Sequence, residues 1–189
     1  MRKAVRAALY LLVVSCIPMG AWATTAVEMS TLDMAQEASL IVSGHVTNVQ
    51  STWVGRDLVT LTTIAVSEVL KGQAGSEITV VVPGGVDTNR PIPIAMSVPA
   101  APQFQTSEDT LVFLVNEDEL PNTYAIVGFS QGKFSLVDTP EGKAATQDTT
   151  GLSLAGGSGQ ISHGGARTVP YGQLKKQIQS ALAALPKPE

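Results

Sequence analysis

Residues 58–70 have the sequence LVTLTTIAVSEVL, the longest run in the chain that is typical of a β-strand. Apolar and β-branched side chains recur along it among threonines and serines, and β-branched residues favour extended backbone. The pair Lys71-Gly72 follows directly and is typical of a turn. This part of the sequence therefore predicts a long strand over residues 58–70.

Shorter runs of the same kind lie on both sides of this strand. They cover residues 40–50, 78–82, 110–115, 124–128 and 133–137. The alternation of apolar residues breaks after Gly44, which predicts a bulge in the first run. The continuous apolar run 110–115 is typical of a strand buried on both faces. The last two runs flank residues 129–132 and predict a hairpin there.

Helical patterns flank these strands. Ser30 is followed three residues later by Asp33. This spacing is typical of an N-cap and an acidic residue in the first turn, and it predicts a short helix that ends near residue 39. A second helix is predicted over residues 171–185, where Leu174 and Ile178 belong to an apolar stripe. Because a short helix is marginal alone, this stripe predicts docking onto a face of the sheet.

Two stretches show neither pattern. Residues 90–102 are rich in proline, which lacks the backbone donor that a sheet ladder needs, so an extended loop or an edge crossing is predicted. Residues 138–167 consist largely of Gly, Ser, Thr and Gln without apolar periodicity. That composition predicts a long flexible loop before the final helix.

The first 23 residues have the three parts of a signal peptide. Positive charges at Arg2, Lys3 and Arg6 precede an apolar segment over residues 7–19, and residues 21–23 (Ala-Trp-Ala) match a cleavage site. The apolar segment is shorter than the roughly 20 residues that cross a bilayer as a helix. We therefore expect an exported protein, periplasmic or extracellular, without an integral membrane span.

An alternative concerns Cys16, the one cysteine of the 189-residue chain. Residues 13–16 resemble a bacterial lipobox, which would make the protein a lipoprotein anchored through Cys16. Cleavage after residue 23 instead leaves a mature chain without cysteine. Such a chain must be stabilised by burial of apolar surface, without disulfides.

Charge excludes several classes of partner. The chain has 12 Lys and Arg against 16 Asp and Glu, a net charge of −4, and loss of the leader removes three of the basic residues, which brings the net charge to −7. An acidic surface repels phosphate backbones, so a nucleic-acid partner is excluded. The mature chain has two histidines and no cysteine, and neither a metal nor a cofactor is predicted.

The order of elements predicts a mainly β protein. Short strands, a bulge and one packed helix favour a small Greek-key barrel of the OB type, with a short N-terminal helix and a C-terminal helix packed on it; a β-sandwich is the alternative. The predicted organisation is a signal peptide over 1–23, a β-barrel domain over 24–137, a flexible loop over 138–167, and a helix and tail over 168–189.

Five short blocks within residues 28–138 resemble a group of uncharacterised bacterial exported proteins. In order, the blocks are ASLIVSGHV at 38–46, VLKG at 69–72, PGG at 83–85, LVFL at 111–114 and VGFSQGKF at 127–134. That group is in turn similar to netrin modules, the OB-type barrels that include tissue inhibitors of metalloproteinases. The inhibitors use an N-terminal cysteine and disulfides, which the mature chain lacks. The resemblance therefore implies a fold and not an inhibitory mechanism.

One motif points to catalysis. Residues 128–132 (GFSQG) match the G-x-S-x-G pattern, in which a strained turn between a strand and a helix presents a nucleophilic serine. Here a strand-like run follows, so a hairpin turn is the simpler interpretation of Ser130. His45 could serve such a serine together with an aspartate, whereas His163 lies in the predicted loop. A secreted serine-type hydrolase that uses Ser130 thus stays as an alternative.

The other motifs have simpler explanations. The cluster Asn116-Glu117-Asp118-Glu119 offers oxygen ligands of the kind that calcium prefers, but its spacing differs from that of an EF-hand. The Pro83-Gly84-Gly85 turn is followed neither by Lys-Ser/Thr nor by a helix, so a phosphate-binding loop is not indicated. A solvated loop and a turn at the end of a strand explain them.

The remaining hypothesis is a binding site at one end of the barrel. Trp53 follows the first strand and could stack on a sugar or a partner protein, or close the end of the core. The predicted contacts are Trp53, Arg56, Gly84, Gly85 and Arg90, with the proline-rich residues 91–102 beside them. We predict an exported, non-catalytic binding or inhibitor-like module whose partner is an extracellular or periplasmic protein or glycan. A structural component of the envelope or extracellular matrix is a further alternative.

Overall fold

The computed structural model describes residues 24–185 and is mainly β. The predicted signal peptide, Cys16 and residues 186–189 lie outside the described residues. The strands are β1 (Thr24–Val27), β2 (Leu40–Val54), β3 (Asp57–Lys71), β4 (Glu77–Pro83), β5 (Gly85–Asp87), β6 (Ile94–Met96), β7 (Asp109–Asn116), β8 (Thr123–Ile126), β9 (Lys133–Thr139), β10 (Gly142–Asp148), β11 (Leu152–Ala155), β12 (Ile161–His163) and β13 (Ala166–Pro170). The helices are α1 (Thr31–Glu37), a 3₁₀ helix (Phe129–Gly132) and α2 (Tyr171–Ala184).

Eight strands form the main sheet, in the order β13-β10-β9-β7-β2-β3-β4-β8. Because β8 also pairs with β7, the pairings of β7, β2, β3, β4 and β8 return to their starting strand. The β4–β8 contact is parallel, and the other contacts in this ring are antiparallel. Strands β9, β10 and β13 extend the sheet beyond the ring, on the N-terminal half of β7.

Strands β2 and β3 form a long hairpin at the centre of the sheet. The predicted strand over residues 58–70 is confirmed as β3, and the predicted bulge is confirmed as a register shift between Ser43 and Gly44. A Cβ at Gly44 would overlap the carbonyl oxygen of Ala65 on β3. Glycine is therefore needed at this position, where the backbone of β3 leaves no room for a side chain.

Strand β7 separates two hydrophobic cores. Leu111 and Phe113 face α1 and α2, whereas Val112 and Leu114 face the interior of the ring. All four are fully buried. The predicted burial of residues 110–115 on both faces is confirmed. A strand that is covered on both sides does not need polar residues at alternate positions, which explains its continuous apolar sequence.

Both predicted helices are confirmed. Ser30 and Asp33 form a reciprocal capping box at the start of α1. Helix α2 buries Leu174, Ile178 and Ala181 against the sheet and α1. Among residues 24–185, no helix is both long enough and apolar enough to cross a membrane.

Two predictions of local structure are wrong. The strands on either side of residues 129–132 do not pair with each other; both pair with β7, and the 3₁₀ helix carries the chain from one half of that strand to the other. Residues 138–167 contain β10, β11 and β12 instead of a loop without secondary structure. The backbone N–H and C=O groups of β10 are hydrogen-bonded to β9 on one side and to β13 on the other, so this strand needs little apolar surface of its own. The proline-rich residues 90–102 contain the three-residue strand β6, which pairs with β5.

Candidate functional site

Three side chains hold β5 against the end of the β2–β3 hairpin. The indole Nε1 of Trp53 donates a hydrogen bond to Oδ2 of Asp87 at 2.8 Å, and Nε of Arg90 donates to the same oxygen at 2.9 Å. The guanidinium carbon of Arg90 lies 5.1 Å from the centre of the Trp53 ring, in range of a cation–π interaction. The polar edge of Trp53 and part of its face are therefore already occupied.

These hydrogen bonds also fix the charge of the cluster. The bond from Trp53, followed by those from the backbone of Asn89 and the side chain of Arg90, holds the pKa of Asp87 below its ordinary value. Asp87 is thus ionised at neutral pH and offsets the charge of Arg90. The cluster presents the Trp53 ring and the Arg90 guanidinium, and its net charge is zero.

Glycine is required where the chain leaves β4 and enters β5. Gly84 and Gly85 have φ angles of 92° and 155°, and a Cβ on Gly85 would lie 2.5 Å from Oγ of Ser51. The same Oγ accepts a hydrogen bond from the backbone N of Val86 at 3.0 Å, and Oγ1 of Thr60 donates to the carbonyl oxygen of Gly84 at 2.8 Å. The two glycines therefore allow β5 to lie directly on the hairpin.

Strands β5 and β6 form a small two-stranded sheet that we call the β5–β6 arm, residues 85–96. Its large apolar side chains are exposed: Val86 by 54%, Ile92 by 79%, Ile94 by 36% and Met96 by 38%. A cleft of about 360 Å³ lies between the arm and the main sheet, where Val82 and Phe104 form part of its lining. Val86 lies opposite Ala95 on one face of the arm, and Ile94 and Met96 lie on the other face. The arm thus exposes apolar side chains on both faces, which is typical of an interaction surface.

The structure brings together four of the five predicted contacts, Trp53, Gly84, Gly85 and Arg90. Arg56 is exposed in the two-residue turn between β2 and β3, and it makes no ion pair with another described residue. Sequence reasoning missed Asp87, which joins Trp53 to Arg90. It also missed the exposed arm, because the apolar residues of a proline-rich stretch have no periodicity that would indicate their exposure.

The two residues of the hydrolase hypothesis lie on opposite faces of the sheet. His45 pairs with Asp109 of β7, and Asp109 pairs with Leu136 of β9, whose side chain belongs to the core beneath the helices. Paired residues share a face of the sheet, so His45 is on the helix side. Ser130 instead lines a cleft together with Ser135, on the other face. The Oγ of Ser130 has no hydrogen-bond partner within residues 24–185. The structure therefore does not pair this serine with a histidine.

His45, Asp109 and Lys143 form a partly exposed polar cluster. Nδ1 of His45 lies 2.9 Å from one carboxylate oxygen of Asp109, and Nζ of Lys143 donates to the other at 3.0 Å. Hydrogen bonds from His45 and then from Lys143 hold the pKa of Asp109 below its ordinary value. The stability that this carboxylate contributes is present above the unfolded pKa of about 4 and is lost as the pH falls through the lower folded pKa.

We therefore expect Asp109→Asn to flatten the acid limb of the stability profile. Urea unfolding between neutral pH and about pH 2.5 should show a smaller loss of free energy in this variant, by less than about 1 kcal/mol because the side chain is 41% exposed. Asp118→Asn is the control, since Asp118 lies on the β7–β8 loop and forms no ion pair in the described part of the chain. Identical profiles for the two variants would contradict the assignment.

Asn116 ends β7, and the acidic residues 117–119 lie in the loop that leads to β8. The backbone N of Glu119 donates a hydrogen bond to Oε1 of Glu117 at 3.3 Å. Over residues 24–185, no group of three or more His, Cys, Asp or Glu side chains is placed to hold a metal ion.

Comparison with known proteins found no protein-family model and no curated protein that matches this chain. The geometry of the site therefore carries the functional argument.

Proposed function

We propose that the protein is an exported, non-catalytic module that binds a partner protein through the β5–β6 arm and the adjoining Trp53–Asp87–Arg90 cluster. Export rests on the leader pattern of residues 1–23. The observation that carries the binding proposal is the exposure of Val86, Ile92, Ile94 and Met96 on an arm that the hydrogen bonds of Asp87 with Trp53 and Arg90 fix in place.

The pairings of the main sheet support a small Greek-key barrel as the scaffold of this module. Strands β2, β3 and β4 are consecutive and antiparallel, and β7 returns after a long connection to lie beside β2, which is the Greek-key order. The additional β7–β8 pairing then closes five strands, the number in an OB-type barrel. The similarity to exported bacterial proteins and to netrin modules stays a prediction.

A protein partner fits the composition of this surface better than a sugar. Tryptophan and arginine are the residue types that most often dominate protein interfaces, and here both are held rigid, which lowers the entropy cost of binding. A sugar would need a free face and a free polar edge on Trp53, whereas Arg90 and Asp87 already occupy these positions. The neutral, apolar arm contrasts with the acidic remainder of the chain, as expected for the centre of an interface.

We expect Ile92→Asp to weaken partner binding by at least about tenfold, since a charge would be buried in an apolar contact. The mature protein is immobilised, and partners from the secreted fraction of the producing organism are identified and titrated. Ile92 is 79% exposed, so the variant should fold normally.

Val27→Asp is the matched control, because Val27 is 71% exposed on the separate sheet of β1, β11 and β12. It should bind the partner as the wild type does. Absence of a saturable partner, or equal binding by both aspartate variants, would overturn the proposed function.

A further inference from the structure

The outer strand of the β5–β6 arm has backbone groups that point away from the arm. The backbone N of Val86 on β5 donates to Oγ of Ser51, so the N–H of Val86 faces β2 and not β6. In an antiparallel pair, opposite residues that exchange hydrogen bonds alternate with opposite residues that do not. Val86 is opposite Ala95, so the N–H and C=O groups of Ala95 point away from β5. Consistent with this, the carbonyl oxygen of the next residue, Met96, points back toward Gly84, where a Cβ would lie 2.6 Å from it.

This outer edge is free within the described chain. Among residues 24–185, β6 pairs with β5 alone, and its three residues are all exposed. An edge with unpaired N–H and C=O groups is a template for another strand. The partner that such an edge selects is therefore an extended peptide backbone, and the side chains on the two faces of the arm select apolar neighbours.

The inner edge of the arm is already covered. Ser51 of β2 accepts the hydrogen bond from the backbone of Val86, and Trp53 of β2 donates to the side chain of Asp87. A strand that joins the arm must therefore pair with β6. If that strand is the β6 of a second copy, both outer edges are used up, and the assembly closes as a dimer instead of growing into a fibre.

The charge of the arm permits contact between two copies of this acidic chain. Each copy has a net charge of −7 after the predicted loss of the leader, so two copies repel each other over most of their surfaces. Residues 85–106 contain one acid and one base, Asp87 and Arg90, and these two side chains form an ion pair. Two arms can therefore meet without repulsion between like charges.

The arm is also complementary to itself. When two β6 strands run antiparallel about a two-fold axis beside Ala95, the Ala95 residues of the two copies exchange both of their free hydrogen bonds. Ile94 of one copy then lies beside Met96 of the other, on the face where these side chains are 36% and 38% exposed. On the opposite face, Val86 and Ala95 of both copies form one apolar row across four strands.

The same register accounts for the most exposed apolar side chain of the arm. Ile92 lies two residues before β6 and Val98 lies two residues after it, so antiparallel pairing brings Ile92 of one copy toward Val98 of the other. Ile92 is 79% exposed in the single chain. Pro93 has no N–H to offer to a longer ladder, so the pairing stays short and centred on Ala95.

We propose that the partner of the β5–β6 arm is a second copy of this chain, and that the two β6 strands pair antiparallel about Ala95 into a four-stranded sheet of order β5-β6-β6-β5. This inference rests on the proposed function, because it names the partner of the same surface.

The test is sedimentation equilibrium of the mature protein between about 1 μM and 1 mM, where a monomer–dimer equilibrium is expected. Ala95→Pro removes the N–H that faces the second copy and leaves the hydrogen bonds between β5 and β6 in place. It should raise the dissociation constant of the dimer by at least about tenfold. The fluorescence of Trp53 should stay unchanged, since this ring is hydrogen-bonded to Asp87 and reports whether the arm is intact.

Ile161→Pro is the matched control. Ile161 is 64% exposed on β12, which is an outer strand of the other small sheet. The hydrogen bond from the backbone N of Gly156 to the carbonyl oxygen of Gln160 lies one pair beyond Ile161, so the N–H of Ile161 also points away from its neighbouring strand. This variant should form the dimer as the wild type does.

A cysteine tests the register of the two strands separately. The mature chain has no cysteine of its own. The proposed pairing places the Cα atoms of the two Ala95 residues about 5.5 Å apart, within the range of a disulfide. Ala95→Cys should therefore form a covalent dimer under mild oxidation, and Ile161→Cys should stay reduced under the same conditions.

Three results would each overturn this inference: the wild type stays monomeric at about 1 mM, Ala95→Pro forms the dimer as tightly as the wild type, or Ala95→Cys forms no covalent dimer. If the chain is monomeric but another secreted protein binds it in a manner that Ile92→Asp weakens, the proposed function stands with a different partner. If neither a second copy nor another protein binds, both proposals fail.

Discussion

Gly44→Ala is expected to destabilise the protein strongly. The new Cβ would overlap the carbonyl oxygen of Ala65 and lie 2.7 Å from Cγ2 of Ile64, and both atoms belong to the neighbouring strand β3. Strand β2 is hydrogen-bonded to β3 on one side and to β7 on the other, so it cannot move away without breaking one of these ladders. We expect a loss of more than about 3 kcal/mol, a large part of the 5–15 kcal/mol typical of a domain.

The measurement is the free energy of unfolding in urea, followed by circular dichroism. Gly75→Ala is the matched control because it makes the same change to the unfolded chain. The nearest atom to a Cβ at Gly75 is 3.8 Å away, so its effect should be within about 0.5 kcal/mol. If Gly44→Ala lost no more than Gly75→Ala, the close approach of β2 and β3 would not be the reason for glycine at the bulge.

The sequence correctly predicted the strands whose burial leaves a pattern in their own residues. The run 110–115 is apolar at every position except Thr110, and β7 is covered on both faces by the two cores. The bulge at Gly44 likewise interrupts a local alternation. Patterns of this kind depend on which faces of one strand are buried and not on the identity of its neighbours.

The pairing of strands is not local, and there the prediction failed. Residues 128–132 carry the glycines of a hairpin turn, yet β8 and β9 each pair with a different half of β7. A Cβ at Gly132 would lie 2.5 Å from the carbonyl oxygen of Val127, so this glycine permits a tight crossing. A turn motif shows that the chain bends there, but it does not show which strand the next segment will pair with.

Strand β10 was missed because its core contact is small. Ala145 is its one fully buried residue, and the neighbouring residues are alanine, threonine and glutamine. The strand is stabilised by backbone hydrogen bonds to β9 and β13. Sequence periodicity detects apolar burial, so a strand that depends on its neighbours for hydrogen bonds gives no such signal.

The sequence predicted individual residues of the candidate site, but it did not predict the contacts between them. Trp53 and Arg90 were predicted contacts, but the residue that joins them, Asp87, lies 34 positions from Trp53 in the chain. The cleft that Ser130 and Ser135 line exists because the segment from Ser97 to Gln105 lies over β9. Neither arrangement can be predicted from the spacing of residues in the sequence, since both depend on long loops that bring distant residues back to the sheet.

Lys133→Met is expected to destabilise the protein by about 3–5 kcal/mol, because it leaves Glu108 charged and largely buried without its partner. The two side chains are 12% and 15% exposed. Glu108 also accepts from the backbone N of Gln105, so its carboxylate fixes the proline-rich segment over β9. We therefore expect faster amide hydrogen exchange in residues 97–105 of the variant, together with the lower free energy of unfolding in urea.

A double-mutant cycle separates the pair from the packing of Lys133. Glu108→Gln in the Lys133→Met background removes the unpaired charge and should restore most of the lost stability, with a coupling energy above about 2 kcal/mol. Lys143→Met is the matched control: Lys143 pairs with Asp109, but the two side chains are 35% and 41% exposed, so the loss should stay below about 1 kcal/mol. If Lys133→Met cost no more than Lys143→Met, water would be solvating Glu108, and the pair would not be what holds the segment from Ser97 to Gln105 over β9.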